Sequence, residues 1–264
     1  MNNSKIDYCD RSWNPITGCL HACTYCYAEK IAKRFAAKTY INNKDLYTKD
    51  FKAILAAPTK SKTKSGKEKV ESYPFGFLPT FHRYRLDEPI RKTKPLNIFV
   101  GSMADNFGEW VPAEWLYHIF DRCFEASQHT YLFLTKNPKR INKIIDQYSL
   151  TRKFQNIKEW DHIWFGTTIT NQNDAEQRLQ YINKLPEGKK FISVEPIFGS
   201  INLNLCNSAG CIDWVIIGGL TGPGSAAPNP EWVKDIIGQC RNAGIPVFLK
   251  SNLNWQQKIQ EYPW

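Results

Sequence analysis

The sequence has no hydrophobic run that approaches the length of a bilayer-spanning helix, and its first stretch, MNNSKIDYCDRSWNP, has no apolar run of the signal-peptide type. These absences argue against a membrane protein and predict a cytoplasmic location. Thiols stay reduced in that compartment, so a tight group of cysteines there binds metal or takes part in catalysis more often than it forms disulfides. Disulfides are therefore the third choice for the eight cysteines.

Acidic residues are fewer than basic ones: the chain has 25 Asp and Glu and 35 Lys and Arg, which gives a net charge of +10. This balance favours a polyanionic partner, with nucleic acid ahead of a membrane surface. Wholesale disorder is excluded by the 42% hydrophobic and 14% aromatic content. A length of 264 residues allows one large α/β domain or two small ones, and we predict a single domain over 1–264.

Six segments have the apolar runs typical of strands buried on both faces. They are 96–103, 130–136, 162–170, 190–196, 212–219 and 246–251. Helical patterns lie between them at 112–126, 137–148, 173–185 and 230–244, with Asn173 as the expected N-cap of the third and Gly244 as the end of the last. A short first strand at SWNPITG and a helix over CTYCYAEKIAKRFAAK bring the count to about seven β–α units. The alternation predicts an α/β fold with a parallel (β/α) barrel, open or partial.

Residues 38–95 break this alternation, being rich in Lys and Thr and then in aromatic residues and proline, with no clean strand. We interpret them as an insertion or cap within the barrel domain. The stretch SKTKSGKEK is either a solvated loop or an arm that contacts phosphates. The stretch PTFHRYRLDEP either stacks on bases and clamps phosphates or packs as part of a cap.

Polar and small residues recur just after the predicted strands, and in a barrel of this kind the chemistry lies at the carboxyl ends of the strands. Asn106, Lys136 and Lys250 each follow a predicted strand and point by register toward the mouth of the barrel. We predict that they contact substrate. The alternative for each is a turn residue or a surface lysine.

Three cysteines, Cys19, Cys23 and Cys26, lie within eight positions in the spacing Cys-x3-Cys-x2-Cys. If a helix begins near Ala22, then Cys23 and Cys26 share one face of its first turn and Cys19 folds over from the preceding loop. The three thiolates then converge on one point.

The number of ligands distinguishes between metals. A structural zinc site closes with four ligands, and the fourth would come from Cys9 or His21. A [4Fe–4S] cluster on three cysteines leaves one iron open for a small molecule. We favour the iron–sulfur cluster, with zinc and simple packing as the alternatives.

The segment GCLHACTYCYAEK resembles the signature of the radical S-adenosylmethionine superfamily, in which the residue before the third cysteine is aromatic, as Tyr25 is. Further segments resemble an uncharacterised, often phage-associated branch of that superfamily. In order they are SWNPITGC, CYAE, FVGSMAD, HTYLFLTKNPKR, WFGTTITNQ, SVEP and DWVIIGG. The resemblance covers nearly the whole chain, but the branch usually has an acidic residue after its double glycine, where this chain has Leu220.

This resemblance implies a cluster and a bound S-adenosylmethionine. Cys19, Cys23 and Cys26 would bind the [4Fe–4S] cluster. The superfamily's usual Gly-Gly-Glu pattern is absent, so Asp105 is the implied carboxylate near the methionine group. The residues implied for S-adenosylmethionine are Tyr25 beside the adenine, Gly101, Ser102 and Asp105 at the methionine group, Thr168 and Asn171 at the ribose, and Glu195, Gly218 and Gly219 along the remaining wall.

The implied reaction is reductive cleavage of S-adenosylmethionine to a 5′-deoxyadenosyl radical, which abstracts hydrogen from a substrate. It needs an electron donor such as flavodoxin or ferredoxin. The basic charge favours a nucleic acid or nucleotide as substrate, and a peptide or small metabolite is the alternative. A third hypothesis is a non-catalytic, metal-stapled protein that binds nucleic acid.

Overall fold

The structure is a computed structural model that describes residues 1–36, 52–63, 65–152, 160–186, 188–205, 212–222 and 225–264. The strands are β1 Asn2–Asn3, β2 Arg11–Trp13, β3 Ile16–Thr17, β4 Ala53–Leu55, β5 Lys60–Lys62, β6 Glu68–Val70, β7 Thr80–His82, β8 Asn97–Val100, β9 Thr130–Thr135, β10 Ile163–Ile169, β11 Lys189–Val194, β12 Trp214–Ile217 and β13 Val247–Leu249. The α-helices are α1 Tyr27–Phe35, α2 Ala113–Glu125, α3 Lys139–Arg152, α4 Gln172–Ile182 and α5 Pro230–Ala243. No helix within these ranges is both long and apolar enough to cross a membrane.

One eight-stranded sheet, in the order β1-β2-β8-β9-β10-β11-β12-β13, forms the body of the fold. The strands from β2 onward run parallel to their neighbours, and β1 pairs antiparallel with β2 at one edge. All six predicted strand segments are confirmed, each with its expected helix or loop behind it. Within the described ranges no ladder joins β1 to β13, so the sheet is open and the barrel is not closed.

Both faces of this sheet are apolar, which explains the continuous hydrophobic runs in its strands. One face packs on helices α2 to α5 through residues such as Val100, Phe133 and Ile192. The opposite face, called the inner face below, has a second and mostly aromatic cluster. Its members are Tyr8, Phe99, Leu132, Trp164, Phe191, Trp214, Ile216 and Phe248.

The segment SWNPITG forms two strands rather than one. β2 joins the large sheet, whereas β3 pairs with β7 in a separate three-stranded sheet of order β3-β7-β4. Asn14 and Pro15 separate them, and proline lacks the N–H that a continuous ladder needs.

The expectation of no clean strand in 38–95 is wrong for its described part. That part contains β4 and β7 of the small sheet, as well as the two-stranded ribbon β5–β6. These strands are three residues long, and the ribbon strands read KSK and EKV, so no hydrophobic alternation marks them. Residues 38–51 lie outside the described residues, and the role of the whole segment as a cap stays a prediction.

Two helix starts differ from their predictions. α1 begins at Tyr27 with Cys26 as its N-cap, not near Ala22, whose φ of 52° is left-handed and incompatible with a helix start. α4 has Asn171 rather than Asn173 as its N-cap, and the Asn171 side chain accepts a hydrogen bond from the backbone N–H of Asp174. The predicted end of α5 at Gly244 is confirmed, with φ of 67°.

Candidate functional site

A cavity at the carboxyl ends of β8, β9 and β10 brings most of the predicted site residues together. Its empty volume, including the part open to solvent, is about 720 Å³. The residues that line it are Cys19, His21, Cys23, Tyr25, Cys26, Tyr27, Ala28, Phe77, Phe99, Gly101, Ser102, Ala104, Asp105, Leu134, Thr135, Lys136 and Thr168.

The loop that carries the cysteines is clamped at its start by backbone hydrogen bonds. Gly18 N–H donates to the carbonyl of Met103 at 2.9 Å, and Cys19 N–H donates to the carbonyl of Phe77 at 3.1 Å. Gly18 has φ of 92°, and a Cβ there would overlap the Leu78 carbonyl. Only glycine therefore lets the loop pass this closely between the two segments.

The three thiols share the cavity without forming a shared helical face. Burial, with smaller contributions from Asp105 and the other two thiols, raises the pKa of Cys19 to about 12. Burial also raises the pKa of Cys26, whose sulfur accepts a hydrogen bond from Glu29 N–H at 3.3 Å. Among the described residues, no group of three or more His, Cys, Asp or Glu side chains is arranged to hold a metal ion. The thiols thus line one space but do not converge on one ion.

Asp105 is the most fully bonded side chain of the cavity. Oδ1 accepts hydrogen bonds from Thr135 Oγ1 at 2.6 Å and Phe107 N–H at 3.1 Å. Oδ2 lies 2.8 Å from His21 Nε2 and accepts from Lys136 N–H at 2.9 Å. Burial alone would raise the pKa of Asp105, but these hydrogen bonds outweigh burial and lower it. A carboxylate with four partners anchors the loops that follow β8 and β9.

The turn after β8 is built around Gly101, whose φ is 83° and whose missing Cβ leaves room for the Asn106 amide. Asn106 Nδ2 donates to the Val100 carbonyl at 3.0 Å. Its side chain is buried beneath the turn and does not line the cavity. The substrate contact predicted for Asn106 would need it to face that cavity. Ser102, the next residue of the turn, exchanges hydrogen bonds with the side chain of Asn14.

Tyr25 and Lys136 meet at the mouth of the cavity. The Lys136 ammonium donates a hydrogen bond to the Tyr25 hydroxyl and lies 4.7 Å from the centre of its ring. Tyr25 also contacts Phe198 edge to face at 5.6 Å. A second cavity lies on that side of the tyrosine, with Leu220 on its wall. Tyr25 therefore separates two adjoining spaces.

Four more predicted residues, Glu195, Gly218, Gly219 and Lys250, form a second polar group at the ends of β11, β12 and β13, whereas Asn171 caps α4. Lys250 Nζ lies 2.6 Å from Glu195 Oε1, and Asn252 donates to the same oxygen at 3.1 Å. A Cβ on Gly218 would lie 2.7 Å from the Glu195 carboxyl carbon, and Gly219 N–H donates to Asn252 Oδ1. This group does not line the cysteine cavity.

The structure thus separates the predicted residues into two sets. Cavity residues are Cys19, Cys23, Cys26, Tyr25, Gly101, Ser102, Asp105, Lys136 and Thr168. Residues outside the cavity lining are Asn106, Asn171, Glu195, Gly218, Gly219 and Lys250. Asn14 and Thr135, which hydrogen-bond to residues of the site, were not predicted from the sequence. Only their position beside the end of a strand marks them there. His21 was considered solely as a zinc ligand.

The chain matches the model of one protein family over residues 3–262, and that family is described as "Protein of unknown function (DUF5131)". No curated protein matches the chain. Among solved structures, a cysteine-to-serine mutant of spore photoproduct lyase is similar, with a TM-score of 0.54 and 11% identity. The match covers 94% of this chain and 79% of the other. At that identity the likeness shows a shared mixed α/β fold with a large parallel sheet. The chain belongs to the DUF5131 family.

Proposed function

We propose that this protein is a radical S-adenosylmethionine enzyme in which Cys19, Cys23 and Cys26 bind a [4Fe–4S] cluster. One observation carries the proposal: a single loop brings three cysteines into a cavity at the carboxyl ends of parallel strands. That is the edge of a parallel α/β sheet where ligands bind. The fold likeness to spore photoproduct lyase, itself a radical S-adenosylmethionine enzyme, supports it.

The residues present fit a cluster better than a single zinc ion. Zinc with bonds of about 2.3 Å to sulfur needs its four ligands in mutual contact. Three cysteines line the cavity, so a zinc site would need a fourth ligand beside them. Each thiolate of a cubane binds a different iron, so its ligands stand apart around a larger body. His21, the nearest candidate for a fourth zinc ligand, has its Nε2 engaged with Asp105.

When bound, the cluster would supply an electron to the sulfonium of S-adenosylmethionine and so cleave it to a 5′-deoxyadenosyl radical. Phe99 and Leu134 give the cavity an apolar floor, which keeps water away from a reactive species. Gly101 and Thr168 line the same cavity, where the Thr168 hydroxyl would be offered to the bound molecule. Asp105 holds the loops that follow β8 and β9 in a fixed relation.

The substrate we propose is a nucleic acid or nucleotide, with the net charge of +10 as its support. Lys136 at the cavity mouth adds a local cation. A peptide or small metabolite is the alternative substrate, and flavodoxin or ferredoxin is the class of electron donor that the reaction requires.

The test is anaerobic reconstitution, followed by assay of iron and sulfide per chain and of 5′-deoxyadenosine formed after reduction with S-adenosylmethionine. We expect Cys23→Ala to lose both the cluster and the product. Cys9→Ala is the matched control, because the Cys9 sulfur lies outside the cavity and is hydrogen-bonded to Ser4 at 3.0 Å. It should keep both.

Two outcomes would contradict the proposal. Equal losses in the Cys23 and Cys9 variants would show that the cavity cysteines have no special role. A wild-type chain that binds metal but yields no 5′-deoxyadenosine would favour the non-catalytic, metal-stapled binding protein.

A further inference from the structure

The antiparallel ribbon β5–β6 extends from the small sheet and has two chemically different faces. Its register pairs Lys60 with Val70, Ser61 with Lys69 and Lys62 with Glu68, and the hydrogen bond from Thr63 N–H to the Lys67 carbonyl continues the ladder. Residues directly opposite each other in such a ladder point to the same face. At the other end, the hydrogen bond from Glu71 N–H to the Thr59 carbonyl continues the ladder as well. One face therefore has Lys60, Lys62, Glu68 and Val70, and the other has Thr59, Ser61, Thr63, Lys67, Lys69 and Glu71.

The first face, called the paired face, has an internal counter-ion. Lys60 Nζ lies 2.8 Å from the Glu68 carboxylate, and Glu68 is also opposite Lys62. The second face, called the lysine-hydroxyl face, contains two cations and three hydroxyl side chains, with the carboxylate of Glu71 at its end nearest the small sheet. Among the described residues, Lys67 and Lys69 form no ion pair, and both are exposed. Its positive charge is therefore available to a partner.

The chemistry of the lysine-hydroxyl face fits a phosphodiester backbone. Cations and hydroxyl groups are the usual side-chain partners of nucleic-acid phosphates. Residues two apart on a strand lie about 6.8 Å from each other, so Lys67 and Lys69 can each contact a phosphate of the same strand. Surfaces that bind membranes combine basic residues with apolar ones that insert, and this face has no apolar side chain.

The ribbon also lies close to the cysteine cavity along the chain. Phe77, which lines the cavity, follows Val70 by seven residues, a reach of at most about 25 Å. On the N-terminal side of the ribbon, the preceding strand β4 belongs to the small sheet. In that sheet β3 leads directly into Gly18 and the cysteine loop. A polyanion bound to the ribbon would pass within reach of the cavity mouth.

We propose that the lysine-hydroxyl face of the β5–β6 ribbon binds the phosphate backbone of nucleic acid. The inference deepens the proposed function, since it rests on the part that makes the substrate a nucleic acid. It does not need the cluster, and the two can be tested separately.

The experiment measures binding of the anaerobically reconstituted full chain to a fluorescein-labelled DNA strand of about 20 nucleotides, its duplex and the RNA of the same sequence. Fluorescence anisotropy would follow binding between about 50 and about 200 mM salt, a range over which phosphate contacts are lost. The test variant combines Lys67→Ser with Lys69→Ser. Its matched control combines Lys60→Ser with Lys62→Ser, which removes the same charge from the paired face.

We expect the Lys67 and Lys69 variant to lose at least about tenfold in affinity for the duplex, with a salt slope shallower by about 1.8, at about 0.9 per phosphate contact. The Lys60 and Lys62 variant should change much less. Lys67→Arg combined with Lys69→Arg keeps both charges and should bind like the wild type. Circular dichroism would verify that each variant is folded.

Several results would overturn the inference. Equal losses from the two faces would mean that only net charge matters, and no loss from either would mean that the ribbon is not involved. Binding to vesicles containing phosphatidylserine that depends on Lys67 and Lys69, with unchanged binding to nucleic acid, would assign the face to membranes. A loss in the arginine variant as large as in the serine variant would also count against it.

A separate readout distinguishes the two proposals. Formation of 5′-deoxyadenosine without nucleic acid should be the same in all the ribbon variants. If the wild type forms none while its DNA binding depends on Lys67 and Lys69, the proposed function fails and the ribbon inference stands. If the wild type forms it and neither face matters, the ribbon inference fails and the enzyme stands.

Discussion

On the inner face of the large sheet, aromatic side chains give way to small or polar ones within two to four residues along the same strands. Phe99 in β8 belongs to the aromatic layer, and Gly101, two residues further, lines the cavity. In β10 the same face runs from Trp164 through Gly166 to Thr168. Because alternate residues share a face, the aromatic layer forms the floor and the small or polar layer forms the site. One sheet face thus combines a packed aromatic layer with the small and polar lining of the candidate site.

Each layer is stabilised by different interactions. The aromatic layer depends on ring contacts, with Trp214 packed against Tyr8 at 5.6 Å and Phe248 at 5.9 Å. The polar layer depends on hydrogen bonds, with the Asp105 carboxylate bonded to four donors. Substitutions in the floor should therefore cost more stability than substitutions in the site.

The largest effect is expected for Trp214→Ala in the aromatic layer. Trp214 is completely buried, and its loss should lower the free energy of unfolding by about 3–5 kcal/mol, as for other buried aromatic residues. Urea unfolding followed by circular dichroism measures it. Trp264 is the control, because it touches Trp214 but is 53% exposed. A Trp264→Ala loss as large as that of Trp214→Ala would contradict the role assigned to the floor.

Gly166→Ala tests the boundary between the layers. A Cβ at this position would overlap the ring of Phe191, which is fully buried and cannot move aside freely. We expect a loss of about 1–3 kcal/mol in the free energy of unfolding, typical of an overpacked core. Gly238→Ala is the control, because its Cβ would meet nothing within 4 Å in α5. That change should be neutral or stabilising by up to about 1 kcal/mol.

Asp105→Asn tests the polar layer. The amide NH₂ of the new asparagine would face groups that also donate hydrogen bonds. We therefore expect the free energy of unfolding to fall by about 1–3 kcal/mol at neutral pH. The folded-state pKa of Asp105 is lowered, so the stabilisation is complete above the ordinary value of 3.8 and disappears as the pH falls below it. Denaturant unfolding over that pH range should show the variant and wild type converging in acid. Asp146→Asn, at an exposed site on α3, is the control and should change the free energy of unfolding little. A stability difference between Asp105→Asn and wild type that does not depend on pH would contradict the role assigned to the Asp105 carboxylate.

The smallest effect is expected for Lys136→Met at the mouth. The methionine keeps the aliphatic stem but loses the contact of the ammonium with the Tyr25 ring and hydroxyl. We expect the free energy of unfolding, measured by urea denaturation, to fall by about 0.5–1 kcal/mol, which is typical of a cation–π contact near solvent. Lys139→Met, at the exposed start of α3, controls for the loss of charge. A loss equal to that of Gly166→Ala would show that the mouth contributes as much stability as the floor.

Strands of the large sheet could be predicted because they are buried on both faces, so a continuous apolar run marks each one. The ribbon strands β5 and β6 could not, since their side chains are polar and only backbone pairing defines them. The predicted start of α1 was wrong by about one turn because Ala22 has a left-handed φ, in a loop whose start is clamped at Gly18. No local pattern reports that clamp.

The sequence alone determined the alternation of strands and helices and the grouping of Cys19, Cys23 and Cys26 in one short loop, because periodicity and spacing are local properties of the chain. Only the tertiary structure decided which distant residues share the cavity with them. Lys136 reaches Tyr25 across 111 positions, and Asp105 reaches His21 across 84. Such contacts depend on which strands become neighbours and how their loops pack, and residue spacing does not encode that arrangement.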